Sequence, residues 1–165
     1  MSNVIILQGI PGSGKSTFAK SLASIVQALK INVWQREYCA DRDGDVIVVS
    51  ADHFFTDDEG VYNFDPKRIG DAHAACLRKF TSKVLSERDL TIVVDNTNIT
   101  NVEMAPYATL AAAFGHTCEI HTFHADPQTA FERCTHGVPK AVIQRMADSL
   151  ETPLARFGTH IPHTK

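Results

Sequence analysis

Lys15 and Ser16 close a glycine-rich run, Gly9-Ile10-Pro11-Gly12-Ser13-Gly14-Lys15-Ser16-Thr17, whose residue types and order suit it to hold a chain of phosphates. Gly9, Gly12 and Gly14 let the backbone turn tightly and aim its N–H groups inward at phosphate oxygens, with Pro11 and Ser13 in the same cradle. Lys15 is expected to reach the β- and γ-phosphates, Ser16 to hold Mg²⁺, and Thr17 to add a hydroxyl near the α-phosphate. A glycine- and serine-rich turn that happens to carry a lysine is the bland alternative. The context argues against it: the run follows the apolar stretch Val4–Gln8 and opens a segment of helical periodicity, the strand, turn and helix of a P-loop. ATP and Mg²⁺ are the expected ligands.

Two aspartates carry the next chemistry. Asp52 follows the apolar run Val46–Val49, where an acceptor for the γ-phosphate would lie, and its carboxylate can take the proton of an attacking hydroxyl. A helix cap or a water-mediated Mg²⁺ contact is the alternative role. Asp95 ends the run Thr91–Val94, the usual place for the carboxylate that positions Mg²⁺ through water. The next residue is Asn96, which cannot act as a base where hydrolytic P-loop enzymes commonly place a glutamate; that favours transfer to a hydroxyl. Arg133 and His136 precede the turn Gly137-Val138-Pro139, with Lys140 and Arg145 beyond. A basic turn between two short helices reads as a lid, and Arg133 is the side chain expected to neutralise charge on the transferred group. Lys140 and Arg145 read as a solvated helix face.

These residues need strand ends to hold them. Strands are expected at Val4–Gln8, Val46–Val49, Thr91–Asp95 and Cys118–Phe123. Helices are expected after the glycine-rich run (core stripe Phe18, Leu22, Ile25, Val26, Leu29), from Asp65-Pro66 (apolar face Ile69, His73, Cys76, Phe80, Val84), from Asn101 to Phe114, and on both sides of residues 135–139. Pro139 is expected to be the first residue of the last helix, and the tail after Glu151 to be extended. Residues 31–45 read mainly as a solvated turn around Asp41-Arg42-Asp43-Gly44-Asp45, and Asp57-Asp58-Glu59-Gly60 as a loop tip. Alternating strands and helices imply an α/β fold of the P-loop NTPase type, a parallel sheet with helices on both faces and a short helical lid. All strand C-terminal ends then share one edge, where Gly9–Ser16, Asp52 and Asp95–Asn98 converge.

The chain of 165 residues is expected to form one domain (1–165), with the lid at about 127–150. It is 44% hydrophobic and 21% charged, ordinary values for a globular protein, and a net charge of −3 argues against a general affinity for nucleic acid. Cys39, Cys76, Cys118 and Cys134 are scattered and read as reduced thiols. With no apolar run of membrane-spanning length and no signal peptide before the first strand, a soluble cytoplasmic protein is expected. His121 and His124 have opposite parity on a strand and are poor co-ligands; His73 reads as a buried histidine, and His160 and His163 lie in the tail, so a zinc site is not expected.

Taken in order, Gly9–Thr17, Ser50-Ala51-Asp52-His53-Phe54-Phe55, Gly60-Val61-Tyr62-Asn63-Phe64, Val94-Asp95-Asn96-Thr97-Asn98 and His136-Gly137-Val138-Pro139 resemble the polynucleotide 5′-hydroxyl kinase group of P-loop phosphotransferases. The closer likeness is to the small kinase-like domains related to those of the Nedd4-binding proteins, and it runs from Val4 to about Glu151. The resemblance implies Asp52 as general base, Lys15 and Ser16 on phosphates and Mg²⁺, Arg133 as lid arginine, and a nucleic acid end, nucleotide or nucleoside-like molecule as acceptor. One position departs: Phe55 stands where polynucleotide kinases carry an arginine for a substrate phosphate, in an acidic segment. A kinase of an unrelated small metabolite, and a nucleotide-binding switch or ATPase working through a protein partner, are the rival readings.

Overall fold

The computed structural model describes residues 1–29, 45–57, 59–86 and 88–164, with residues 25–29 described by their backbone. Among the described residues, five parallel strands form one sheet: β1 (Asn3–Gln8), β2 (Val46–Val49), β3 (Thr91–Asp95), β4 (Thr117–His124) and β5 (Thr159–Thr164), in the order β2-β3-β1-β4-β5. Helix α1 (Lys15–Leu29) covers one face, and α2 (Ile69–Val84) and α3 (Asn101–Ala113) cover the other. Two short helices, α4 (Pro127–Arg133) and α5 (Lys140–Asp148), follow β4. The expected fold class is the one observed.

Alternation along β1 builds both cores. Val4 and Ile6 pack with Ile92, Val94 and Ile120 against α2 and α3, while Ile5 and Leu7 pack with Val93, Phe123 and Ala19 of α1. Both faces are buried, so the strand reads as a continuous apolar run. Helix α3 starts on a capping box in which Thr100 and Glu103 satisfy each other's backbone N–H groups, and ends before Gly115 at φ 71°.

Several expectations need correction. In α2 the buried line is Ala72, Cys76, Phe80 and Val84, one residue every fourth position; Ile69 and His73 lie off that line and are exposed. Pro139 is the N-cap of α5 and Lys140 its first residue. The tail is more than extended chain: residues 159–164 add β5 beside β4, with Thr122 opposite Pro162. His163 is thereby fixed, its imidazole stacked on Phe123 at 4.4 Å and hydrogen-bonded to His121 at 2.9 Å. Asp65 caps the turn Pro66–Arg68 ahead of α2 as expected. Ile25, Val26 and Leu29 as core residues, the reading of residues 31–45 up to residue 44, Cys39 and Asp58 lie outside the described residues or side chains. Among the described residues, no helix is long and apolar enough to cross a membrane.

Candidate functional site

The glycine-rich run sits at the C-terminal end of β1, tied down from several sides. The Gly9 amide donates to Thr97 O at 2.9 Å, and Asn98, held at φ 45°, donates its side-chain amide to Leu7 O at 2.7 Å. Gln8 is fully buried; it donates to Glu151 O at 2.8 Å and accepts from the Thr122 hydroxyl at 2.6 Å. Gly12, at φ 78°, meets α4 backbone to backbone: a Cβ there would fall 2.0 Å from Ala130 O. Only glycine fits that position.

Lys15 begins α1, and its side chain folds back over the loop. It is 7% exposed, and Nζ donates to Ile10 O at 2.8 Å and to Ser13 Oγ at 3.4 Å. Burial pushes its pKa down to about 8, against the opposing pull of Asp95, Asp52 and Cys134. Asp95 ends β3, and its side chain lies beside Ser16. Burial raises the Asp95 pKa, and the Asp52 charge raises it further, against Ser16 and Lys15, which lower it. Lys15, Ser16, Asp52 and Asp95, supplied by the ends of three strands, therefore form one electrostatic group. Ser16 and Thr17 are exposed.

Asp52 lies in a 3-10 turn, Ala51–Phe55, whose N-cap is Ser50: the Ser50 hydroxyl accepts from the Asp52 amide at 3.2 Å. Capping therefore belongs to Ser50, and the Asp52 carboxylate is left outside that role. It accepts a hydrogen bond from the Tyr62 hydroxyl at 3.1 Å. His53 beside it has its pKa lowered, first by burial and then by Lys79. Asn96 differs from its expected setting. It is buried and turned into the core, donating to Tyr107 Oη at 3.3 Å and Cys76 Sγ at 3.5 Å and accepting from the Ala51 amide at 2.9 Å. Its role here is to hold the turn that carries Asp52, so its identity says little about hydrolysis.

The α4–α5 pair packs on the site through Ile10, Ile99, Ala130 and Ile143. Arg133 lies about one helical turn beyond Ala130, with its side chain exposed, and Lys140 and Arg145 are exposed on α5. Cys134 is half-buried and close enough to Lys15 and Tyr62 to affect the charge of both. The His136 ring is 4.9 Å from the Tyr62 ring. Tyr62 is thus a site residue to which sequence reasoning gave no role, although it lies in the Gly60–Phe64 stretch. One cleft of about 290 Å³ is lined by residues including Ile10, Phe123 and Leu150, and another of about 280 Å³ by residues including Phe54, Asn63 and Arg68.

Residues 4–153 match the family model described as AAA domain. The chain is 30% identical over 152 residues to NEDD4-binding protein 2 of Homo sapiens, a match that covers 88% of this chain and 7% of that protein. The chain thus spans a small part of that relative's length. Among solved structures it is similar to Kti12 of Chaetomium thermophilum in complex with ADP-AlF3, at a TM-score of 0.64 and 15% identity, over 97% of this chain and 88% of that one. A gluconokinase from Sinorhizobium meliloti is similar at a TM-score of 0.56 and 14% identity, over 97% and 82%. At these identities the likeness is one of fold.

Proposed function

The chain belongs to the AAA-domain family, and from that membership we propose that it is an ATP-dependent phosphotransferase. In this reading it is one kinase domain with residues 127–150 as lid, and it moves the γ-phosphate of ATP to a hydroxyl of a nucleic acid end, nucleotide or nucleoside-like acceptor. One observation carries the reading: Asp52 and Asp95, following β2 and ending β3, both lie close enough for their charges to act on Lys15 at the mouth of the glycine-rich loop. The resemblance to kinase-like domains runs through the same residues.

Asp52 takes the proton of the acceptor hydroxyl as its oxygen attacks the γ-phosphorus in line and ADP departs. Lys15 is positioned by its bonds to Ile10 and Ser13 and exchanges them for phosphate oxygens. Arg133 is carried by the lid toward the transferred group. The Ser16 hydroxyl and the Asp95 carboxylate lie beside each other, a pair of hard oxygen donors that fits Mg²⁺. Ser16 and Asp95 would hold the ion, and its charge would offset that of the phosphates.

Phe55 supports a second reading. It is buried, with ring contacts to Phe54, Tyr62 and Phe64, so this position offers no grip on a substrate phosphate. That favours a small acceptor without phosphate groups, such as a sugar or other metabolite. Transfer from γ-labelled ATP to a 5′-hydroxyl oligodeoxynucleotide, free nucleosides and sugars separates the two. Label found only in free phosphate would sink both and favour a nucleotide switch.

A further inference from the structure

Tyr62 touches both parts that the proposed reaction must bring together. Its hydroxyl donates to Asp52 Oδ1 at 3.1 Å, and its ring lies 4.9 Å from the His136 ring in the lid turn. The chain returns it to that place by a narrow backbone link. Thr56 and Tyr62 form an antiparallel bridge, the Asn63 amide donates to Phe55 O at 2.8 Å, and the Asp57 amide to Val61 O at 3.1 Å. The Asp57 side chain holds the tip by accepting from the Glu59 and Val61 amides.

The Asp52 backbone is fixed as well. Its amide donates to Ser50 Oγ at 3.2 Å, and its carbonyl accepts from the Thr56 hydroxyl at 3.0 Å. With the main chain held on both sides, rotation of the carboxylate is the freedom that remains. A hydrogen bond to Oδ1 removes it and leaves Oδ2 to receive a proton. Burial, and after it the Asp52 charge, push the Tyr62 phenol up to about 12, so the hydroxyl remains a donor at neutral pH.

We propose that Tyr62 is a positioning residue: it orients the Asp52 carboxylate and, through its ring contact with His136, makes that orientation depend on a closed lid. The proposal rests on the reading of Asp52 as the base. When the lid is away, Tyr62 loses one of its supports and the carboxylate is free to turn. Proton transfer is then poor until the phosphates are covered, which protects ATP from water.

The test is a series of Tyr62→Phe, Asp52→Asn, the double variant and His136→Ala, measured by phosphate release from Mg-ATP with water as the acceptor. Hydrogen exchange of residues 134–139 with a non-hydrolysable ATP analogue accompanies it. Tyr62→Phe should lower kcat by about ten- to a hundredfold, the range of one hydrogen bond to a charged group, with KM for ATP and Tm unchanged. In the Asp52→Asn background the same change should have an effect of less than about twofold, because the group it orients is gone. His136→Ala should lower kcat about threefold or more and speed exchange in the lid turn. Parent-level or faster turnover in Tyr62→Phe beside an inactive Asp52→Asn would overturn the positioning role and leave the base intact. A full Tyr62→Phe loss that persists in the Asp52→Asn background would reduce Tyr62 to a packing residue. Parent-level turnover in Asp52→Asn would remove the base, and this proposal with it.

Discussion

The Asn96 side-chain oxygen accepts a hydrogen bond from the Ala51 amide at 2.9 Å, joining the end of β3 to the turn that carries Asp52. The two residues belong to different strand-to-helix connections, so this bond sets the distance between the two acidic groups of the site. Asn96→Ala strands the Ala51 amide, and the expected loss is about 1–3 kcal/mol in stability together with lower turnover. Asn96→Glu, which forces a carboxylate among Cys76 and Tyr107, should destabilise more and should not speed ATP hydrolysis. Urea denaturation and phosphate release check both; faster hydrolysis by the glutamate variant would show that position 96 does reach the site.

Lys15 is held charged in the empty protein against its own burial. Its folded pKa, about 8, lies below the ordinary 10.5 of the unfolded chain. The unfolded state thus binds more protons between those values, and stability rises with pH across that window. The burden is fully present below pH about 8 and fades toward 10.5. Lys15→Met should therefore stabilise the empty protein by ~1–3 kcal/mol at pH 7, less at pH 10, while abolishing ATP binding. Thermal melts at the two pH values, with calorimetric titration of Mg-ATP, test this. A methionine variant less stable than the parent at pH 7 contradicts it.

Mg-ATP binding should weaken as pH rises above about 8, because phosphate oxygens prefer the ammonium and the empty protein must then take up a proton to bind. The expected slope approaches tenfold per pH unit, in the direction of looser binding (about 1.4 kcal/mol per unit). Affinity that stays flat from pH 7 to about 9.5 would place the Lys15 pKa near its ordinary value.

Asp52→Asn keeps the shape of the side chain and the contact with Tyr62 but cannot accept a proton. Turnover should fall by about 10²- to 10⁴-fold with Mg-ATP affinity little changed. A loss that comes with weaker Mg-ATP binding and recovers at high Mg²⁺ would instead assign Asp52 to the metal.

Gly12→Ala tests the contact between the glycine-rich loop and α4. The added methyl meets Ala130 O at 2.0 Å, and φ 78° disfavours any side chain. A loss of about 2 kcal/mol or more in stability, with faster hydrogen exchange in residues 127–133, is expected. Unchanged exchange there would mean that the loop and α4 are not in register.

The strand ends that hold the site were readable because each bears its own local signal. Val4–Gln8, Val46–Val49 and Thr91–Asp95 are apolar runs closed by glycine, serine or asparagine, and the run of glycines before Lys15 has few other uses. β5 was not readable as a strand. Thr159–Thr164 alternates polar side chains and contains Pro162, and a proline that cannot donate to a ladder is tolerated because this is an edge strand. Periodicity also misjudged His73, since a helix face drawn one residue off still looks apolar when Ala72 is the residue it replaces. Tyr62 lies in the Gly60–Phe64 stretch, but nothing in the sequence gave it a role of its own. Its role comes from a bridge to Thr56 and a contact with a turn far along the chain, and neither leaves a pattern in sequence.

The central place of β1 has a kinetic consequence. Val4 lies between Ile92 and Cys118, so the middle of the sheet is closed by segments remote from it along the chain. Helices such as α2 and α3 nucleate from nearby residues, but β1 has no partner until two long loops have been drawn shut, and each closure carries an entropic penalty. The glycine-rich loop, bonded to Thr97 and close-packed on Ala130, can take its shape only after that closure. In a refolding experiment, fluorescence from a labelled ATP analogue should therefore lag behind the circular-dichroism signal of the helices. The nucleotide cradle is among the last structures to form, and its first appearance marks the completed sheet.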